Sequence, residues 1–124
     1  MENLEESFLN WFAGFWEGEG CISTRAHTQG RYHRALIEIK QKDRTPLDLI
    51  QSKFSGSVTK EICNRKFLIW KWSLSKRTEV IRVSKLMLPY LRFRQREVED
   101  KSRFLEELES KKLNNREVAK TFHV

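Results

Sequence analysis

The sequence predicts an α+β domain: four antiparallel strands with helices on one face and the other face left open. Three observations lead there. Segments with apolar residues every three or four positions are interleaved with segments in which apolar and polar residues alternate, the periods of helix and strand. These segments follow the order α-β-β-α-β-β-α with trailing helices, so a β-β-α unit recurs. No interior linker or low-complexity run divides the 124 residues, enough for one domain with its own core and too few for two.

The first helix is expected from about Ser7, its N-cap, to about Gly18, with Phe8, Leu9, Trp11, Phe12, Phe15 and Trp16 at helical spacing. Strands at 20–28 and 32–41 follow, joined by a Thr-Gln-Gly turn. In the first, Ser23, Arg25 and His27 share one face, and Ile22 and Thr24 the other. In the second, Ile37 and Ile39 lie opposite Arg34, Leu36, Glu38 and Lys40. A short helix starts at Pro46 behind a Thr45 N-cap, and Gly56 ends that unit. Two more strands are expected at about 57–63 and 66–75. Leu68, Trp70, Trp72 and Leu74 face one way along the latter, and Phe67, Ile69, Lys71 and Ser73 the other. A helix from about Lys76 to Leu88 carries Val80, Val83, Leu86 and Met87 at core spacing, and Pro89 interrupts it. Another helix spans about 95–111 with Val98, Leu105 and Leu108. The tail from Leu113 is expected to hold one more short helix after Asn114 or Asn115.

Lys and Arg number 24 against 17 Asp and Glu, and the net charge of +7 favours an anionic partner, nucleic acid first. Four tryptophans and an aromatic content of 11% separate the chain from a disordered basic tail. There is no 18-residue apolar run to span a membrane, and the acidic start MENLEES lacks a signal-peptide pattern. An intracellular protein is expected, in cytoplasm, nucleoid or an organelle, neither secreted nor membrane-bound. Cys21 and Cys63 form no CxxC pair and no zinc spacing with His27, His33 and His123, so reduced, partly buried thiols are expected.

The open face of the sheet would carry Ser23, Arg25, His27, Arg34, Glu38, Lys40, Ser57, Thr59, Ile69 and Lys71. Arg and Lys suit phosphates and guanine edges, and Ser, Thr and Glu can read other groups. A two-stranded ribbon fits the DNA major groove. The alternative is an ordinary solvated sheet face.

Residues 14–20, GFWEGEG, break two local rules. Gly14 sits inside the first helix, at a cost of about 1 kcal/mol relative to Ala. Glu17 and Glu19 sit at its C-terminal end, where the macrodipole disfavours negative charge. Such local conflicts point to function. The stretch from Phe12 to Gly20 resembles the LAGLIDADG motif of homing endonucleases: Ala13, Gly14 and Gly20 match outright, and Glu17 and Glu19 stand where the motif has acids. The motif occurs once. The resemblance covers about residues 8–110 and implies one endonuclease domain over 1–124, with a saddle-shaped sheet and a helical tail at about 111–124.

The resemblance also implies roles. Glu19, Asp in the archetype, takes the position of the essential metal ligand, and Glu17 is structural or supports it. Ala13, Gly14, Glu17 and Gly18 lie on the helix that packs against its copy in single-motif homodimers, and Trp16 replaces a smaller aliphatic residue there. Gln41 takes the place of a polar residue that orders water. Arg94, with Arg92 and Arg96 as neighbours, takes that of the basic residue approaching the scissile phosphate. Together these imply Mg²⁺ or another divalent cation, a double-stranded DNA partner, and hydrolysis of both strands at a long pseudo-palindromic site, as in many intron-encoded relatives. Competing readings are an intron-RNA maturase or DNA-binding regulator that has lost cleavage, and an unrelated basic RNA-binding protein.

Overall fold

The computed structural model describes residues 4–24, 35–63 and 65–122. Helix α1 (Glu6–Glu19) runs directly into strand β1 (Gly20–Ser23). Strand β2 (Leu36–Gln41), helix α2 (Thr45–Phe54), strands β3 (Ser57–Cys63) and β4 (Phe67–Leu74) and helix α3 (Arg77–Met87) follow. A 3-10 turn (Leu88–Tyr90) then leads to helix α4 (Gln95–Phe122). The strands form one antiparallel sheet in the order β1-β2-β4-β3. This is the αββαββα arrangement that the alternating patterns predict. Arg25, His27 and Arg34, with the turn expected between them, lie outside the described residues.

The pleat assigns the faces as expected. Ile22, Ile37, Ile39, Trp72 and Leu74 turn inward and are buried with Phe12 and Trp16 of α1, Leu47, Ile50 and Phe54 of α2, Val80 and Val83 of α3, and Val98 and Leu105 of α4. Aromatic rings knit the first two helices to the sheet: Phe12 lies 5.0 Å from Phe54 and 6.0 Å from Trp72, centroid to centroid, both edge-on. Each such side chain contributes about 1.5–3 kcal/mol on burial, so this aromatic cluster holds α1 and α2 against the sheet.

Between α2 and β3 the chain reverses through Ser55 and Gly56, with φ of 62° and 92°. A Cβ on Gly56 would lie 2.6 Å from the Ser73 carbonyl oxygen, so glycine is required there. The same turn satisfies the core: Trp72 Nε1 donates to the Ser55 carbonyl oxygen at 2.8 Å.

Local ends differ from expectation in three places. Helix α1 starts at Glu6, so Ser7 lies inside it and does not cap it. Helix α2 includes Thr45, whose N–H donates to the Asp43 carboxylate at 2.9 Å, so Asp43 caps the helix instead of the Thr45 hydroxyl. The expected break near Asn114 is absent: α4 is one helix through Phe122, and no Gly or Pro interrupts it.

Candidate active site at the end of the first helix

The conflict at GFWEGEG is partly resolved within the chain. Glu17 turns towards the segment in front of α4. Its two carboxylate oxygens each accept the Arg92 N–H at 3.0 Å, and Oε2 accepts those of Phe93 at 2.5 Å and Arg94 at 2.8 Å. These donors lie at the positive end of a long helix, which suits an anion. Partial burial raises the carboxyl's pKa, but the three backbone donors and the charge of Arg94 outweigh it and hold the group below the usual carboxylate range.

Arg94 returns the contact. Its Nη1 donates to the carbonyl oxygens of Gly20 and Trp16, and its Nε donates to Glu97 Oε1 at 2.7 Å. A cation thus meets the carbonyl end of α1. Lys101, one turn beyond Glu97, donates to the Ile22 carbonyl oxygen at 2.8 Å and to Glu97 Oε2 at 3.2 Å. The hydrogen bond from Arg94, against partial burial and with help from Lys101, keeps Glu97 ionised below its ordinary range. Glu97 and Lys101 were missed as parts of this assembly; the only sequence signal is their spacing from Arg94 on one helix face.

Glu19 stays uncommitted. It is exposed at the last position of α1, and its carboxylate forms no hydrogen bond to any described residue. Next to it, a Cβ on Gly20 would lie 2.5 Å from Trp16 Cδ1 and 2.8 Å from Ile39 Cγ1. The closing glycine of the motif is therefore required by close approach of helix and sheet. Gly20 pairs with Ile39, and Gln41 lies two residues further along β2, half-buried and paired with Trp70. The ladder thus carries Gln41 past β1 towards the end of α1.

Gly14 and Gly18 are exposed, and a Cβ on either would meet nothing within 4 Å. They line a groove of about 630 Å³ with Asn10, Glu17, Tyr90, Arg92 and Phe93. Phe93 is 89% exposed on its rim. Two of the residues expected on this face behave differently. Ala13 is only 2% exposed and points into the core, about 100° around the helix from Gly14. Glu17 lines the groove but directs its carboxylate to the loop of its own chain.

Ser23, Glu38, Lys40, Ser57, Thr59, Ile69 and Lys71 lie on the sheet face away from the core, in the registers Glu38–Ser73–Ser57 and Lys40–Lys71–Thr59. That face is less uniformly basic than expected, because Glu61 also lies on it, opposite Ile69.

Residues 12–97 match the LAGLIDADG endonuclease family. With most of the chain matched, the chain belongs to that family. A protein named "Probable intron-encoded endonuclease aI2" from Debaryomyces hansenii is 36% identical over 55 residues, which are 44% of this chain and 8% of that protein. The chain therefore corresponds to a small part of that relative. Among solved structures, the archaeal intron-encoded homing endonuclease I-Vdi141I, complexed with DNA, matches with a TM-score of 0.71 and 17% identity, over 86% of this chain and 72% of that one. I-CvuI, bound to its target in the presence of 2 mM Ca, matches with a TM-score of 0.68 and 20% identity, over 86% and 70%. These likenesses show the fold. No described helix is long and apolar enough to cross a membrane.

Proposed function

We propose that this chain is a divalent-metal-dependent endonuclease of homing type that acts as a homodimer and cuts both strands of a long pseudo-palindromic DNA site. The observation that carries the reading is Glu19, exposed at the end of α1 with no side-chain partner among the described residues, where Glu17 and the carbonyls of Trp16 and Gly20 are held by the segment in front of α4. The exposed glycines support the dimer: Gly14 and Gly18 weaken α1 by about 1 kcal/mol each relative to Ala, and none of the described residues uses the space.

The chemistry of the donors fits a metal such as Mg²⁺. Among the described residues no three His, Cys, Asp or Glu side chains gather to hold an ion. Mg²⁺ characteristically takes one or two carboxylates and completes its shell with water and phosphate oxygens. Glu19 and its copy in a second chain would supply those carboxylates. When bound, the ion supplies Lewis-acid stabilisation of charge at the phosphate and a more acidic water. Gln41 would orient water at the same end of the sheet. Arg94 holds the end of α1 in place and would support charge on the phosphate. The open face would dock on double-stranded DNA, with Ser23, Thr59, Ile69 and Lys71 among the contacts. The intron-encoded relative supports an intron-borne origin for this chain.

One observation favours a second reading, a cleavage-inactive maturase or regulator that binds intron RNA or DNA. The Arg94 guanidinium is already engaged by Trp16, Gly20 and Glu97. A randomised duplex library separates the two: incubate in Mg²⁺ or EDTA and sequence the ends formed by wild type and Glu19→Gln. Mg²⁺-dependent paired ends that the variant does not form support the nuclease. Sequence-selective binding with no cutting in any divalent metal supports the second reading.

A further inference from the structure

The open face carries two lysines in one cross-strand row, and they differ. Lys71 on β4 lies opposite Lys40 on β2 and Thr59 on β3, and it has no acidic partner among the described residues. Lys40 is bracketed: its Nζ lies 3.8 Å from Glu38 Oε1 and 3.4 Å from Glu61 Oε2. Strand β4 lies between β2 and β3, so the contact with Glu61 reaches across the middle of the face. The side chains of Lys40 and Glu61 are 43% and 37% exposed. An ion pair this exposed adds little to stability. Two carboxylates on a surface that meets phosphates also lower non-specific affinity. A face built for backbone binding alone gains nothing from them.

Base edges do use such a pair. In the major groove guanine offers the acceptors O6 and N7, and its cytosine partner offers the donor N4. The two edges are hydrogen-bonded neighbours, as the ammonium of Lys40 and the carboxylate of Glu61 are. An A·T pair also sets a donor, adenine N6, beside an acceptor, thymine O4, but it gives the ammonium one acceptor there where guanine gives two, and the thymine methyl group crowds that side.

We propose that Lys40 and Glu61 read one G·C base pair in each half of the target, lysine on guanine and glutamate on cytosine, with Glu38 steadying Lys40 from its other side. This rests on the reading above that the open face docks on DNA. The test is selection of bound sequences from a randomised duplex library in Ca²⁺, with fold checked by circular dichroism. Wild type is compared with Glu61→Gln, Lys40→Ala and, as a control away from the sheet, Glu106→Gln. Wild type should enrich G·C at one position of each half-site by roughly 5- to 100-fold. Glu61→Gln should move that preference towards A·T, since a glutamine amide matches adenine N6 and N7. Lys40→Ala should flatten it, and the control should change nothing. An unchanged preference in both sheet variants overturns the proposal and leaves DNA docking standing. A wild type that enriches no sequence overturns both. A shifted preference without cutting in Mg²⁺ supports this proposal and removes only the nuclease.

Discussion

Replacing Glu17 with Ala removes the acceptor for three backbone N–H groups in front of α4. A hydrogen bond to a charged group is worth about 1.5–3 kcal/mol. Three of them would give at least about 4.5 kcal/mol if water were excluded. Arg92 and Phe93 are exposed, so water replaces part of this, and a net loss of about 2–3 kcal/mol is expected. For a domain of this size each kcal/mol moves Tm by about 3–6 °C, so Glu17→Ala should melt about 6–18 °C below wild type by circular dichroism at neutral pH. Glu17→Gln keeps one acceptor oxygen without the charge and should lose roughly half as much. The pH dependence has a definite sign. The folded carboxyl titrates below its unfolded value, so its contribution is complete above about pH 5 and is lost as pH falls through the lowered folded value. The deficit of the variant should therefore shrink on acidification. A melting difference under about 2 °C at neutral pH, or one that stays constant down to about pH 3, would refute the assignment of these bonds as the clamp between α1 and α4.

Three further outcomes follow from the same geometry. Gly20→Ala should cost about 1–3 kcal/mol in denaturant titration, because its Cβ meets Trp16 and Ile39 inside van der Waals distance; unchanged stability would mean that helix and strand part easily there. Gly14→Leu should leave the fold intact or slightly strengthen it, since the space is open, yet abolish association in sedimentation; a full-strength dimer would move the interface elsewhere. Glu19→Gln should melt within about 3 °C of wild type while losing Mg²⁺-dependent cutting, because the side chain is exposed and has no partner among the described residues; a large drop in Tm would make Glu19 structural.

The order of elements was legible because burial follows period so closely in this chain. Ile37 and Ile39 against Glu38 and Lys40, or Trp72 and Leu74 against Lys71 and Ser73, can take only one face of a sheet. The ends of helices were less legible. Ser7 and Thr45 are good caps by type, but the cap in use depends on where packing lets the first turn begin, and Asp43 took that place at α2. Ala13 was misplaced because small size suits a helix interface and a tight core equally; only its angle relative to Phe12 and Trp16 decides. The link between Glu17 and the backbone 75 to 77 residues later has no local signature, since its donors are N–H groups that every non-proline residue carries. Glu61 was overlooked on the open face for a similar reason: its meaning comes from reaching Lys40 across a strand.

The two acids of the motif end up differently, and the difference locates function better than the motif does. Both begin as unfavourable charges at the carbonyl end of α1. The fold cancels one of these conflicts by turning Glu17 onto the N–H groups ahead of α4 and laying Arg94 over the last carbonyls of α1, so each helix end supplies what the other lacks. Helix α1, the loop at 92–94 and strand β1 are thereby locked as one unit. Glu19 and the open glycines receive no such compensation from the described residues of their own chain. A folded domain that resolves Glu17 so completely had the means to resolve its neighbour as well. The conflict left at Glu19 is one that a cation would remove, and the gap left at Gly14 and Gly18 is one that a second helix would fill. Both deficits lie on the same helix, so the partner that closes the gap would also bring the second Glu19 to the first.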